Sequence, residues 1–300
     1  MSSTQAARAP MSWPMAAHLR DYVELVKPRV TALVLVTTAS GFWLGLQSGA
    51  HRARLLPLLL GAALAAGGAN ALNQWMEREP DALMLRTRQR PLPAGRLEPE
   101  AARRFGLFLA VVGSLWLAWR VHWLAGALAA ATIISYVALY TPMKRTTTLC
   151  TLVGAVPGAL PPMIGWAAAR GTLTVEAWTL FGILFLWQLP HFLAIAVLFR
   201  EDYARAGFQM LPVRDPDSVA TSRQIVLYGL CLVPVSLLPT ILGLAGPWYF
   251  LGALLLGLLY LAAGIRAAMH RTLPSMRRLF LTSIVYLPLL FALLVWDKRG

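Results

Sequence analysis

Asn73, Glu77 and Asp81 recur at every fourth position of the stretch Asn73-Gln-Trp-Met-Glu77-Arg-Glu79-Pro-Asp81. On a helix that spacing stacks three oxygen-bearing side chains along one face. Two carboxylates held that close repel each other, and a hard divalent cation removes the repulsion. Mg²⁺ characteristically takes one or two carboxylates together with phosphate oxygens and water. Pro80 disfavours helix at Glu79 and removes a backbone donor, so Asp81 is predicted beyond a kink. Arg86 and Arg90 follow, again four apart, and a guanidinium fork grips phosphate oxygens two at a time. Acids that can hold a metal beside arginines are what a diphosphate needs. Alternatively, the arginines only set membrane topology and the acids neutralise them at the level of the lipid headgroups.

A second constellation reads Trp187-Gln188-Leu-Pro-His191-Phe192, then Arg200-Glu201-Asp202-Tyr203, then Met210-Leu-Pro-Val213. On a helix, Gln188 and His191 lie one turn apart, and His191 is roughly 15 Å deeper than Glu201. Polar groups at that depth should face the bundle interior; for His191 a hydrogen-bonded packing role would satisfy this equally. Glu201 and Asp202 form a second acidic pair, or ordinary headgroup-level charge. The short Tyr140-Thr-Pro-Met-Lys144-Arg145 loop adds two cations, which topology alone also explains. Gly154, Pro157, Gly158, Pro161, Pro162 and Gly165 interrupt the next apolar run, so a bent helix is predicted there.

The elements that must position these residues are membrane helices. Hydrophobic residues make up 58% of the 300 and charged ones 13%, with a mean hydropathy of +0.60, outside the range of soluble domains. Nine apolar stretches approach the length a bilayer requires: Val30 to Ala50, Leu55 to Met76, Phe105 to Trp119, Val121 to Tyr140, Leu149 to Ala169, Val175 to Phe199, Ile225 to Leu244, Pro247 to Ile265 and Leu279 to Trp296. Lipid offers the backbone no partners, so all are helices. The expected fold is an all-α, polytopic bundle of about nine transmembrane helices. An even number of crossings separates the second from the sixth, so the two acidic clusters share one compartment.

A formal charge of +14 and a pI near 10.8 would suit nucleic acid if the charge lay on one soluble face, but it sorts by membrane side. With the N-terminus inside, all but six of the 27 Lys and Arg fall in inner segments; the six are Arg52, Arg54, Arg120, Arg170, Lys298 and Arg299. That is the positive-inside pattern, and no nucleic-acid partner is needed to explain it. Residues 1–26 read as a cytoplasmic tail and 27–300 as one transmembrane domain. No apolar core with a small-residue cleavage site follows Met1, so insertion by the first helix is expected. The absence of a long, basic, serine-rich presequence favours a bacterial inner membrane over a mitochondrial one, with the acidic face cytoplasmic. Cys150 and Cys231 stand alone and suggest packing.

Asn73 through Pro91, Tyr140 through Arg145, Pro161-Pro162 through Trp166, and Trp187 through Val213 together resemble the UbiA superfamily of membrane prenyltransferases. The likeness runs from about Lys27 to the last helix. The family's first motif, an Asn with spaced acids, then Met, Arg-Thr and Arg-Pro, maps onto Asn73, Glu77, Asp81, Met84, Arg86-Thr87 and Arg90-Pro91. His191-Phe192 leading to Glu201-Asp202-Tyr203 and Met210 to Val213 resembles the haem-directed branch; relatives that prenylate aromatic acids have an aspartate-rich second motif. Glu77 stands where the family more often has Asp, Pro80 falls inside the acidic run, and Cys150 replaces a usual Asn; none removes a necessary charge.

The resemblance implies a UbiA-like fold and transfer of farnesyl from farnesyl diphosphate to a vinyl group of haem B. Water adds a hydroxyl, giving haem O and diphosphate. It implies Mg²⁺ on Asn73, Glu77 and Asp81, with Glu201 and Asp202 holding a second ion or ordering water. Arg86, Arg90 and Lys144 would stabilise the leaving diphosphate, His191 would contact haem, and the farnesyl tail would need an apolar channel. A downstream haem-modifying enzyme or oxidase is the implied partner. The nearest alternative is the same chemistry on an aromatic or chlorin acceptor. A transporter for a phosphorylated lipid should place polar groups near the midplane with access from both sides, whereas here they gather at one face.

Overall fold

A computed structural model of the chain describes residues 15–47 and 52–299, and every regular element among them is helical. In order these are α1 (Met15–Leu25), α2 (Pro28–Gly45), α3 (Leu55–Met76), α4 (Arg78–Leu83), α5 (Pro99–Arg120), α6 (Trp123–Ile134), α7 (Thr141–Met143), α8 (Cys150–Ala159), α9 (Pro161–Arg170), α10 (Val175–Leu198), α11 (Arg200–Arg205), α12 (Leu211–Arg214), α13 (Val219–Ile241), α14 (Pro247–His270) and α15 (Leu273–Trp296). A π-helical turn, Ser135–Tyr140, joins α6 to α7 in one crossing. Together α8 and α9 make another, broken at Leu160 before Pro161 and Pro162, where the prolines predicted a bend.

Among the described residues, eight helical runs are long and apolar enough to cross a membrane. The first expected span is realised as α2, an 18-residue helix that is not one of the eight; its predicted final residues, Ser48 to Ala50, lie outside the described residues. Several helices run past the predicted limits. α5 begins at Pro99 rather than Phe105, α13 at Val219 rather than Ile225, and α14 continues to His270 rather than Ile265. Hydropathy registers only the lipid-embedded part of a helix, while backbone hydrogen bonding carries on through charged residues beyond it. α5 starts on Pro99 with Glu100 in its first turn, both favourable at a helix N-terminus.

Without a hydrophobic drive between helices in lipid, close packing of small residues supplies the contact. A Cβ added to Gly113 on α5 would sit 2.4 Å from the backbone nitrogen of Ala65 on α3. One added to Gly165 on α9 would sit 1.9 Å from the carbonyl oxygen of Thr38 on α2. One apolar cluster is centred on α2, α3, α5, α6 and α9 around Phe42, Leu58 and Leu117. A second is centred on α10, α13, α14 and α15 around Tyr249, Tyr260 and Leu290. α15 packs back against α2. Large apolar side chains such as Leu56, Trp119 and Met269 point outward, as a lipid-facing surface demands. The loops after α3, α7 and α10 meet at one end of the bundle, where Met84, Cys150, Phe208 and Met210 share a small apolar cluster.

Candidate active site

Asn73 lies one turn before the end of α3 and is buried. Its Nδ2 donates to Thr141 Oγ1 at 3.1 Å, and its Oδ1 accepts from Lys27 Nζ at 3.1 Å. Glu77 is the residue at which α3 ends, with φ −94° and ψ 8°, and its amide still bonds the Asn73 carbonyl at 2.9 Å. The predicted kink therefore falls three residues before Pro80, which sits in the first turn of α4 where its missing N–H is not needed. Asp81 lies beyond the break. Lys144 Nζ donates to Glu77 Oε1 at 2.6 Å, and Arg90 Nη1 donates to Asp81 Oδ2 at 2.6 Å. Asp81 is 1% exposed, and its second oxygen, Oδ1, is buried without a hydrogen-bond partner. An orphaned carboxylate oxygen beside a glutamate and an amide oxygen is a donor set suited to a hard cation.

Three cations, Lys27, Arg90 and Lys144, thus face two carboxylates. Burial works against the charge of Lys144, but the attraction and hydrogen bond of the adjoining Glu77 carboxylate, together with Tyr140 and Tyr136, outweigh it and raise its pKa well above the ordinary lysine value. Lys27 fares differently: burial, reinforced by Arg90, lowers its pKa to about 7. It joins α1 to α2 in the left-handed region, at φ 48°, an uncommon conformation for a side chain of that size. Sequence reasoning counted Lys27 only among topological charges. It stands 46 residues from Asn73, and no local pattern connects them.

Asp202 is placed differently from Asp81. Its carboxylate accepts the backbone N–H of Leu85 at 3.2 Å and of Arg86 at 3.4 Å, and also bonds Arg205. Desolvation works to raise its pKa, and these donors outweigh it and hold it below the ordinary carboxylate value. The Arg86 guanidinium lies 5.0 Å over the Phe199 ring, with Tyr203 OH 3.5 Å away, rather than against Glu77 or Asp81. Glu201 is exposed. The structure thus gathers Asn73, Glu77, Asp81, Arg90 and Lys144 into one buried cluster and sets Arg86, Glu201 and Asp202 at its rim. No group of three His, Cys, Asp or Glu converges at metal-binding distance among the described residues.

A cavity of ≈ 310 Å³ opens beside the cluster, with Lys27, Asn70 and Tyr140 among its lining. α3 makes room for it by presenting Ala62, Ala65, Ala66 and Ala69. Tyr136 and Tyr140, on the π turn, stack 5.5 Å apart and also line it; such turns recur at functional sites. Phe192 of α10 lines the cavity as well, while the neighbouring His191 turns to α15, with Nδ1 2.6 Å from Ser283 Oγ. Gln188 Nε2 donates to the Ala155 carbonyl at 2.7 Å, tying α10 to α8. Both deep polar groups face neighbouring helices, as their depth predicts.

Residues 34–294 match the UbiA prenyltransferase family. The chain belongs to that family. It is 52% identical over 293 residues to a Solibacter usitatus (strain Ellin6076) protein named Protoheme IX farnesyltransferase, covering 94% of this chain and 100% of that one. Proteins of the same name from Koribacter versatilis (strain Ellin345) and Myxococcus xanthus (strain DK1622) are 43% and 45% identical, over more than nine-tenths of both chains. Among solved structures, digeranylgeranylglyceryl phosphate synthase shares the fold with a TM-score of 0.77 at 16% identity, over 94% of this chain and 99% of that one. A UbiA homolog from Archaeoglobus fulgidus bound to DMAPP and Mg²⁺ superposes with a TM-score of 0.60 at 17% identity, over 91% and 99%. This UbiA chain is a multi-pass membrane prenyltransferase.

Proposed function

We propose that the chain transfers the farnesyl group of farnesyl diphosphate to a vinyl group of haem B, with water, giving haem O and diphosphate. The observation that carries the reading is the near full-length likeness to relatives named for that activity, and the site's chemistry agrees with it. Asn73, Glu77 and Asp81 would hold Mg²⁺, which when bound neutralises charge on the diphosphate. Arg90, Lys144 and Lys27 face that position and stabilise the negative charge that grows on the leaving oxygens as the C1–O bond breaks. The apolar cavity takes the farnesyl chain. Tyr136 and Tyr140 present aromatic faces near its mouth, where a cationic allylic carbon gains from the ring quadrupole. The vinyl electron pair forms the new bond to C1; water then adds to the acceptor-side cation and loses a proton. Asp202 holds the loop that carries Arg86, and His191 contacts the haem. The positive-inside charge pattern supports a reading in which the N-terminus and the polar cluster lie on the cytoplasmic side of a bacterial inner membrane and the product passes to a later haem-modifying enzyme or oxidase.

The deciding experiment incubates purified protein with haem B, farnesyl diphosphate and Mg²⁺, follows farnesyl-hydroxyethyl haem by mass spectrometry, and repeats with a chelator. Chelator-sensitive product is expected. Diphosphate release with an aromatic acceptor but none with haem would move the chain to another branch of the family.

A further inference from the structure

We infer that Ser283 is a positioning residue for the haem acceptor, holding His191 in the tautomer whose Nε2 lone pair takes the haem iron; this rests on the acceptor reading above. Ser283 Oγ lies 2.6 Å from His191 Nδ1 and 2.5 Å from the carbonyl oxygen of Phe280. A serine hydroxyl has one proton. Two oxygens 2.5 Å apart need that proton between them, so Ser283 donates to Phe280 and offers His191 only a lone pair. Nδ1 must then carry the ring proton and donate it, which leaves Nε2 bare. An imidazole anchored through Nδ1–H to an oxygen, with Nε2 unprotonated, is the form that ligates metals, and the anchoring oxygen fixes the ring and raises its basicity.

Packing fixes the ring plane too. Trp187 stacks on the imidazole with centroids 5.0 Å apart, and its indole N–H donates to the Ser283 carbonyl at 2.9 Å. Phe280 flanks the ring at 5.1 Å. Tyr260 OH donates to the Trp187 carbonyl at 3.0 Å, so α14 also braces the group. Ser283 is fully buried, whereas His191 is only partly so. Phe192, whose ring centroid is 5.7 Å from that of His191, lines the apolar cavity. The His191 ring therefore stands one ring away from the space assigned to the farnesyl chain. A single imidazole also suits a substrate that must depart, since two strong axial ligands would retain it.

The test titrates the full chain in detergent with ferric haem B, without farnesyl diphosphate, and reads affinity and the Soret band. Farnesyl diphosphate affinity is measured in parallel to report on the fold. Wild type is expected to saturate with a histidine-ligated spectrum, which His191→Ala loses. Ser283→Ala should weaken haem binding by about 10- to 100-fold and shift the Soret band toward that of His191→Ala. The pair Ser283→Thr and Ser283→Val, nearly equal in volume, isolates the hydroxyl: Thr should restore both readouts and Val should not. Wild-type affinity and spectrum in Ser283→Ala or Ser283→Val would overturn the positioning role, and a wild-type spectrum in His191→Ala would overturn iron ligation. A wild-type chain that binds farnesyl diphosphate but never saturates with haem would remove the haem acceptor itself, and this inference with it.

Discussion

Asp81 has one carboxylate oxygen on Arg90 and the other buried without a donor. Asp81→Asn keeps the shape and removes the charge, so haem O formation should fall by about 100-fold or more while membrane insertion is unchanged; full activity at limiting Mg²⁺ would refute the metal assignment. Asp202 makes a contrasting case, because its carboxylate is spent on the amides of Leu85 and Arg86. Asp202→Asn is expected to lower kcat/KM for farnesyl diphosphate by about 10- to 100-fold through a displaced loop and leave the Mg²⁺ dependence as in wild type. A weakened metal response would restore Asp202 to the ligand set. The sequence exposes Asn73, Glu77 and Asp81 because a four-residue period on nearly continuous helix is local information. Lys144 pairs with Glu77 across 67 residues, and Asp202 meets Leu85 across 117; the sequence names those residues but not what they touch.

Nearly every predicted crossing is found because lipid imposes a minimum apolar length. The ends are less legible: Pro99, Val219 and His270 lie in polar sequence that hydropathy does not distinguish from loop. The π turn at Ser135–Tyr140 is likewise invisible, since Tyr136 and Tyr140 suit an ordinary helix equally well. α13 shows what its start requires. Asp215 Oδ2 accepts the backbone N–H of Thr221 at 2.7 Å and its hydroxyl at 2.8 Å. Desolvation opposes the charge, but these bonds outweigh it and depress the Asp215 pKa. A depressed carboxylate stabilises the fold above its unfolded pKa and stops doing so as pH falls through the folded one. Asp215→Ala should therefore cost about 1 kcal/mol at neutral pH, and the gap to wild type in thermal unfolding should close on strong acidification. A gap that persisted in acid would mean the carboxylate charge is not what caps α13.

Over the whole molecule, charge decides which way the bundle sits. In a chain with Cys231 replaced by Ser, Arg88→Cys should be labelled by an impermeant thiol reagent only in inside-out vesicles, and Thr172→Cys only in right-side-out ones; the reverse pattern would invert the assigned orientation. Length matters as well as charge. α2, at 18 residues, measures about 27 Å, whereas α10, at 24 residues, measures about 36 Å. Lipid packed around both must thin beside α2 or let α10 tilt. The N-terminal end of α2 adjoins Lys27, whose ammonium reaches Asn73, so a bilayer that displaces α2 is expected to disturb the polar cluster. Turnover in vesicles of graded acyl-chain length should be highest in thin bilayers and decline as the chains lengthen, while constant turnover would show that α2 does not set the local thickness. A lipid that never touches substrate would then govern the reaction by how far it stretches one short helix.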